Sequence, residues 1–127
     1  MASDAGIKAP PAAVDGCLFC RLAAGEIPAR LVHEDDLVVA FHDIAPRAPT
    51  HILLITRQHI PSALELTEAD GALLGHVFAV AAAIARDAGL ADSGYRLVSN
   101  VGRWGGQTVA HLHWHLLGGR PFTWPPG

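Results

Sequence analysis

The sequence has only two cysteines in 127 residues, Cys17 and Cys20, so no disulfide framework can hold it together. It is also short of charge. Nine basic against twelve acidic residues leave a formal net charge of −3, which excludes recruitment of nucleic acid by counterion release. The opening residues lack the apolar run of about 7–15 residues at the heart of a secretory signal. The longest helix-like apolar stretch carries Asp70, His76, Arg86 and Asp87, which argues against a membrane span. With no framework and no leader, a cytoplasmic location is the default. Residues 1–16, rich in alanine and proline, read as a disordered tail, leaving one domain over 17–127. Half of the residues are hydrophobic and 17% charged, a balance suited to a well-buried globule. What the chain has in excess is histidine, eight in all. Neutral imidazoles bind metals and move protons near pH 7.

The order of elements is legible from pattern and punctuation. Residues 17–24 suit a short helix, and residues 25–28 turn the chain. Residues 29–34 and 37–42 are apolar and β-branched runs separated by Asp35-Asp36, a hairpin signal. Pro46 and Pro49 stiffen the next loop, and residues 51–56 make a third strand apolar enough for a sheet interior. Thr67-Glu68-Ala69-Asp70 resembles a capping box with Thr67 as N-cap. Leu73, Val77, Ala81 and Ile84 then recur at helical spacing, widened by Leu74 and Phe78, and Gly89 suits the C-terminal end. The spacing predicts a helix of about 22 residues lying on one face of the sheet. Residues 95–99 and 110–117 complete five strands, giving an α+β domain with a largely antiparallel sheet.

The fifth strand carries the chemistry. In His111-Leu112-His113-Trp114-His115, alternation puts three imidazoles on one face and the apolar residues on the other, beneath the helix. Burying three imidazoles without purpose is costly, and a plain core would use valine or leucine. Two chemistries fit. Histidines at i, i+2 and i+4 could hold a catalytic zinc ion. Alternatively one imidazole attacks phosphorus while its neighbours manage charge and protons. The adjacent Gly105-Gly106-Gln107-Thr108 favours the second, because glycine-rich loops turn backbone N–H groups toward anions. Asp43 could instead only start a turn, Phe41 and Ile44 could be ordinary core, and His51 could be solvated. His33, His42 and His76 read as structural or surface residues.

Taken with Glu26-Ile27-Pro28, Phe41-His42-Asp43-Ile44, Ala48-Pro49-Thr50-His51, Gly105-Gly106-Gln107, Leu117-Gly118-Gly119-Arg120 and the closing Trp124-Pro125-Pro126-Gly127, the run His111-Leu-His113-Trp-His115-Leu-Leu117 resembles the histidine-triad (HIT) nucleotide-binding family. The likeness extends from about Phe19 to the C-terminus, and its closing segment looks like the branch of adenosine phosphoramidate hydrolases. The resemblance implies a HIT-like fold, a five-stranded antiparallel sheet with one short and one long helix, paired as a homodimer. It implies hydrolysis of purine nucleoside 5′-phosphoramidates through a nucleotidyl-histidine intermediate on His113, with no cofactor required for that step.

By position, the resemblance makes His113, His115, His51, Thr108 and His111 the catalytic set. His51 and His115 would bond the phosphate oxygens, the Thr108 hydroxyl would reach the leaving nitrogen, and the Gly106, Gln107 and Thr108 backbone would add donors. Many relatives carry serine where this chain has Thr108. Asp43 would accept from the ribose hydroxyls, Phe19, Leu22, Phe41 and Ile44 would line a slot for the base, and Asn100 would contact the phosphate region. The implied ligand is a purine nucleotide such as AMP or GMP. Some members of the wider superfamily complete a structural zinc site from a Cys-x-x-Cys pair and two histidines, here Cys17, Cys20, His59 and His111; otherwise both thiols are free. A dinucleoside polyphosphate hydrolase or nucleotidyl transferase using the same His113 is the rival enzyme, and a nucleotide-binding regulatory module the rival of another class.

Overall fold

The structure, a computed structural model, describes residues 14–127. The expected tail therefore lies outside the described residues as far as residue 13. Residues 14–16 turn into the first helix, with the Cys17 N–H donating to the Val14 carbonyl at 3.1 Å.

Five strands form one antiparallel sheet: β1 (Leu31–Glu34), β2 (Val38–His42), β3 (Thr50–Thr56), β4 (Tyr95–Val98) and β5 (His113–Gly118). Their order across the sheet is β1-β2-β3-β5-β4, with β3 and β5 paired at the centre from Thr50↔Gly118 to Ile55↔His113. Short helix α1 (Leu18–Ala23) precedes the sheet, and long helix α2 (Gly71–Asp87) joins β3 to β4. This is the α+β architecture expected.

The sheet separates two cores because strand side chains alternate. One face contributes Val38, Ala40, Ile52, Leu54, Trp114 and Leu116, which pack with Leu73, Val77, Val80, Ala81, Ile84 and Ala85 of α2. That helical stripe follows the 3.6-residue period, and Phe78 at its rim meets Trp114 edge-on at 6.1 Å. By length and composition alone, residues 68–87 could cross a membrane, but their buried apolar face is spent on this core. The other face holds a smaller cluster of Val39, Phe41, Leu53 and Ile55, covered by Phe19 of α1.

Two boundaries differ from expectation. The capping box at Thr67 and Asp70 is present, yet it closes a 3-10 turn over Glu68–Asp70, and α2 proper has 17 residues rather than about 22. At its other end Gly89 has φ +77°, and the Leu90 N–H returns to the Ala85 carbonyl, a Schellman closure that seats Leu90 in the core. A side chain at Gly118 would press on the buried Leu90 methyl groups, which would have to shift. The second difference matters more. β5 begins at His113, not at residue 110, because the Leu112 N–H donates to the Ile60 carbonyl at 2.6 Å and the His111 N–H to Val109. His111 therefore sits in a bend ahead of the strand.

A polar latch joins the β1–β2 hairpin to α2. Asp35 Oδ1 accepts from the Leu37 and Val38 N–H groups at 2.7 and 2.8 Å, and Oδ2 from His33 and His76 Nε2 at 2.6 and 2.7 Å. These are hydrogen-bond lengths, shorter than the roughly 3 Å expected between donors sharing one ion. Burial pushes the Asp35 carboxyl up, but His33, the Leu37 amide, His76 and the Val38 amide together outweigh it and hold it well below the usual carboxylate range. Arg57 reinforces the same corner, donating to the Asp35 and Ala23 carbonyls. Since the folded pKa lies below the unfolded one, Asp35 stabilises the fold above about pH 4 and loses that contribution as pH falls further. Asp35→Asn turns one amide N–H₂ toward groups that are themselves donors, and should cost about 1–3 kcal/mol at pH 7 in urea unfolding. A cost near zero at pH 7 would contradict the latch.

Candidate active site

The hydrogen-bond partners of the histidines decide which ring nitrogens carry protons. His113 Nδ1 lies 2.6 Å from the His111 carbonyl, which can only accept, so Nδ1 holds the proton and Nε2 keeps its lone pair. Ser99 Oγ donates to the His113 carbonyl at 2.9 Å and fixes the strand at this point. The ring is buried, standing edge-on to Phe19 with centroids 5.1 Å apart and to His115 at 5.2 Å.

A second chain of bonds runs beside it. The Arg47 N–H donates to His51 Nδ1 at 3.0 Å, so His51 carries its proton on Nε2. That nitrogen faces His115 Nδ1 at 2.9 Å and Asp43 Oδ2 at 3.4 Å. Donation to His115 Nδ1 leaves the His115 proton on Nε2, where it can serve a substrate oxygen. Burial lowers the pKa of His51, with Asp43 opposing and Arg47 adding to the effect. Burial likewise lowers that of His115, helped by His113 and His51. Both rings are therefore neutral donors at neutral pH. The cluster presents one imidazole lone pair, at His113 Nε2, beside one neutral N–H donor, at His115 Nε2, a set matched to nucleophilic attack on an oxyanion-bearing centre.

The structure brings His51, His113 and His115 together, with Asp43 at their edge. It gives His111 a different part from the one its place in the catalytic set implies. The ring is wholly buried, its Nε2 donating to the Thr56 carbonyl at 2.6 Å, and its backbone carbonyl is what meets His113 Nδ1. The base-slot residues divide. Phe19 and Phe41 are buried with Leu22 packed partly against them, whereas Ile44 is fully exposed in the loop after β2.

The loop over residues 100–108 also departs from expectation. The Gly106 and Gln107 N–H groups are taken up by the Arg103 and Gly102 carbonyls at 3.1 and 3.0 Å, so they do not form the anion cradle expected of them. Asn100 Nδ2 donates to the Gly105 carbonyl at 2.7 Å, and Gln107 spans Gly102, Pro61 and Val109, so both side chains staple the loop. Gly105 is needed because any side chain there would collide with the Val101 backbone. Thr108 is exposed at the end of this stapled loop. The Asp35 latch and the Arg47 contact to His51 were not foreseen; both depend on backbone groups that residue patterns do not report.

Cys17, Cys20, His59 and His111 converge beneath α1. The Cys17 sulfur lies 3.3 Å and the Cys20 sulfur 3.5 Å from His111 Nδ1, and His59 Nδ1 is 3.2 Å from both the Cys20 sulfur and His111 Nδ1. A tetrahedral zinc ion with Zn–S of about 2.3 Å and Zn–N of about 2.0–2.1 Å spaces its ligands at roughly 3.3–3.8 Å. The Thr56 contact also leaves the His111 Nδ1 lone pair directed into the group. Spacing and donor chemistry both fit such an ion.

The model of the HIT domain family matches residues 24–122, and the chain belongs to that family. It is 49% identical over 104 residues to the purine nucleoside phosphoramidase of Escherichia coli K12, covering 82% of this chain and 87% of that protein. An uncharacterized HIT-like protein of Synechococcus elongatus is 54% identical over 110 residues, covering 87% of this chain and 96% of that one. Among solved structures, a HIT family hydrolase from Legionella pneumophila superposes with a TM-score of 0.87 at 51% identity, covering 88% of this chain and all of that one. A histidine triad protein from Clostridium difficile superposes at 0.83 with 39% identity, covering 87% and 96%. The chain is thus a nucleotide hydrolase of the HIT family.

Burying neutral imidazoles has a thermodynamic consequence. Burial lowers the His111 pKa to about 4, the Thr56 carbonyl opposing, and His51 and His115 also lie below the ordinary histidine value. Between that value, about 6.5, and their folded values the unfolded chain binds more protons. Stability in metal-free buffer should therefore fall as pH drops below about 6.5, seen as a decreasing urea midpoint. A midpoint constant from pH 7 to 5 would contradict the neutral assignment.

Proposed function

We propose that the chain hydrolyses purine nucleoside 5′-phosphoramidates with His113 as nucleophile. The observation that carries this reading is the His113 Nδ1–H bond to the His111 carbonyl, which leaves Nε2 as a lone pair beside the neutral His115 Nε2–H donor. The activity of the Escherichia coli relative supports the choice of substrate class.

In the first step the Nε2 lone pair bonds to the α-phosphorus as the P–N bond to the amine breaks. The amine departs with a proton relayed through the solvent-exposed Thr108 hydroxyl, which would give its proton to the leaving nitrogen and take one from water. His113 becomes a cationic nucleotidyl-imidazole, whose retained Nδ1–H bond to the carbonyl strengthens as charge develops. His115 Nε2–H, aligned by the His51 Nε2–H bond to its Nδ1, donates to a phosphate oxygen, which gains charge at the same moment. Water then attacks phosphorus, the P–Nε2 bond breaks, and nucleoside 5′-monophosphate leaves. A neutral imidazole suffices, so the step requires no cofactor. Asp43 would accept from the ribose, and the exposed Ile44 would close over a base set against Phe19 and Phe41.

We also propose that Cys17, Cys20, His59 and His111 hold a structural zinc ion, which would tie α1 to the sheet. Reduced thiols fit a cytoplasmic setting. A homodimer would form on the exposed edge strand β4 and the uncovered side of α2, where Tyr95 and Phe78 are exposed.

His113→Asn should abolish amine release from an adenosine 5′-phosphoramidate, a loss of several powers of ten, while the protein stays folded. Near-normal turnover would refute the nucleophile, and faster hydrolysis of diadenosine polyphosphates by the unaltered protein would favour the rival enzyme. Metal analysis of protein purified without chelator should find roughly one zinc per chain, and less than about a tenth would dismiss the metal.

A further inference from the structure

The reaction above leaves the His111 ring without a task, although it is wholly buried and holds a specific tautomer. Its two ends serve two different sites. Nδ1 faces Cys17, Cys20 and His59 at 3.2–3.5 Å, while the carbonyl of the same residue accepts from His113 Nδ1 at 2.6 Å. The carbonyl is free to turn toward the ring because residue 111 stands in a bend outside the ladder.

A second connection runs through α1. Phe19 lies between the two cysteines in sequence, and its ring meets His113 edge-on at 5.1 Å and Phe41 at 5.8 Å. Cys17 caps this helix, its sulfur accepting from the Cys20 N–H at 3.3 Å. With six residues, α1 has little stability of its own. Without an ion, its grip on the sheet near His111 is a set of long contacts to sulfur, weaker than metal–ligand bonds.

We infer that Cys17, Cys20, His59 and His111 position the nucleophile: a zinc-like ion bound there fixes the His111 carbonyl and Phe19 together, and through them the orientation of His113. The inference rests on the histidine-nucleophile reading and assigns His111 and His59 as positioning residues for it. Loss of the ion should act on the chemical step more than on substrate affinity. Of the proposed base and ribose contacts, Phe41 and Asp43 belong to β2 and the loop after it, away from the four ligands, whereas Phe19 is shared with α1. Affinity should therefore change less than the chemical step rather than not at all.

The test is an imidazole-region proton–nitrogen NMR spectrum of zinc-loaded wild type, of wild type stripped by chelator, and of His59→Asn, with zinc content measured for each. The His113 Nδ1–H resonance should be sharp and slow to exchange in the loaded protein. It should broaden and exchange faster in the other two, and recover when zinc is returned to wild type but not to His59→Asn. Stripping should lower kcat by about tenfold or more, a larger change than any in KM, as expected for a misplaced reacting group. Comparing wild type before and after reloading keeps the test independent of whether His59→Asn folds. An unchanged resonance, or a protein that takes up no zinc, overturns the inference. A resonance that responds in a loaded protein releasing no amine would support the coupling and defeat the phosphoramidate reading alone.

Discussion

The hydrogen bond from His113 Nδ1 to the His111 carbonyl is the constraint on which the site depends. Imidazole has two equivalent-looking edges, and a buried ring with both free would spread its proton over either. Tying Nδ1 to an acceptor leaves one nitrogen with a directed lone pair. In a regular strand the carbonyls lie in the plane of the sheet and side chains stand out of it, so a residue's carbonyl does not reach the ring two positions on. The late start of β5 removes that obstacle. The Leu112 contact to Ile60 turns the chain, and the carbonyl of residue 111 swings toward the ring it holds.

The two faces of the sheet divide the remaining work. Helix α2 covers one face with a continuous apolar stripe, and most of the buried hydrocarbon lies there. The other face has only the short α1 over a small apolar cluster, which leaves room for rings between helix and sheet. Burying those rings carries a desolvation cost, visible as depressed pKa values at His51, His111 and His115. The cost is limited because each ring has a hydrogen-bond partner and stays neutral. The same arrangement would suit the proposed chemistry, since the His113 Nε2 edge and the neutral His115 N–H would meet an anionic phosphate together.

Much of this was legible in the sequence. Alternation in His111-Leu112-His113-Trp114-His115 correctly put Trp114 and Leu116 under α2 and His113 and His115 opposite, and Asp35-Asp36 correctly marked the first hairpin. The Cys17, Cys20, His59 and His111 group, named from a resemblance, does converge. What escaped was governed by backbone partners. Nothing in a residue pattern says that His111 bends out of the strand, that the Gly106 and Gln107 amides are consumed inside their own loop, or that the Arg47 amide sets the His51 tautomer. The 3-10 turn after Thr67 was hidden for a similar reason: a capping box satisfies either helix type, and only the chain's path into Leu73 distinguishes them.

The central claim is that one nitrogen of one ring forms a bond to phosphorus. Rapid mixing of the protein with an adenosine 5′-phosphoramidate, quenched at alkaline pH and followed by peptide mass spectrometry, tests it directly. The account predicts a transient adenylyl group on the peptide containing His113, formed and lost at rates that match turnover. Turnover with no adduct at any time, or an adduct mapped to another residue, would contradict it.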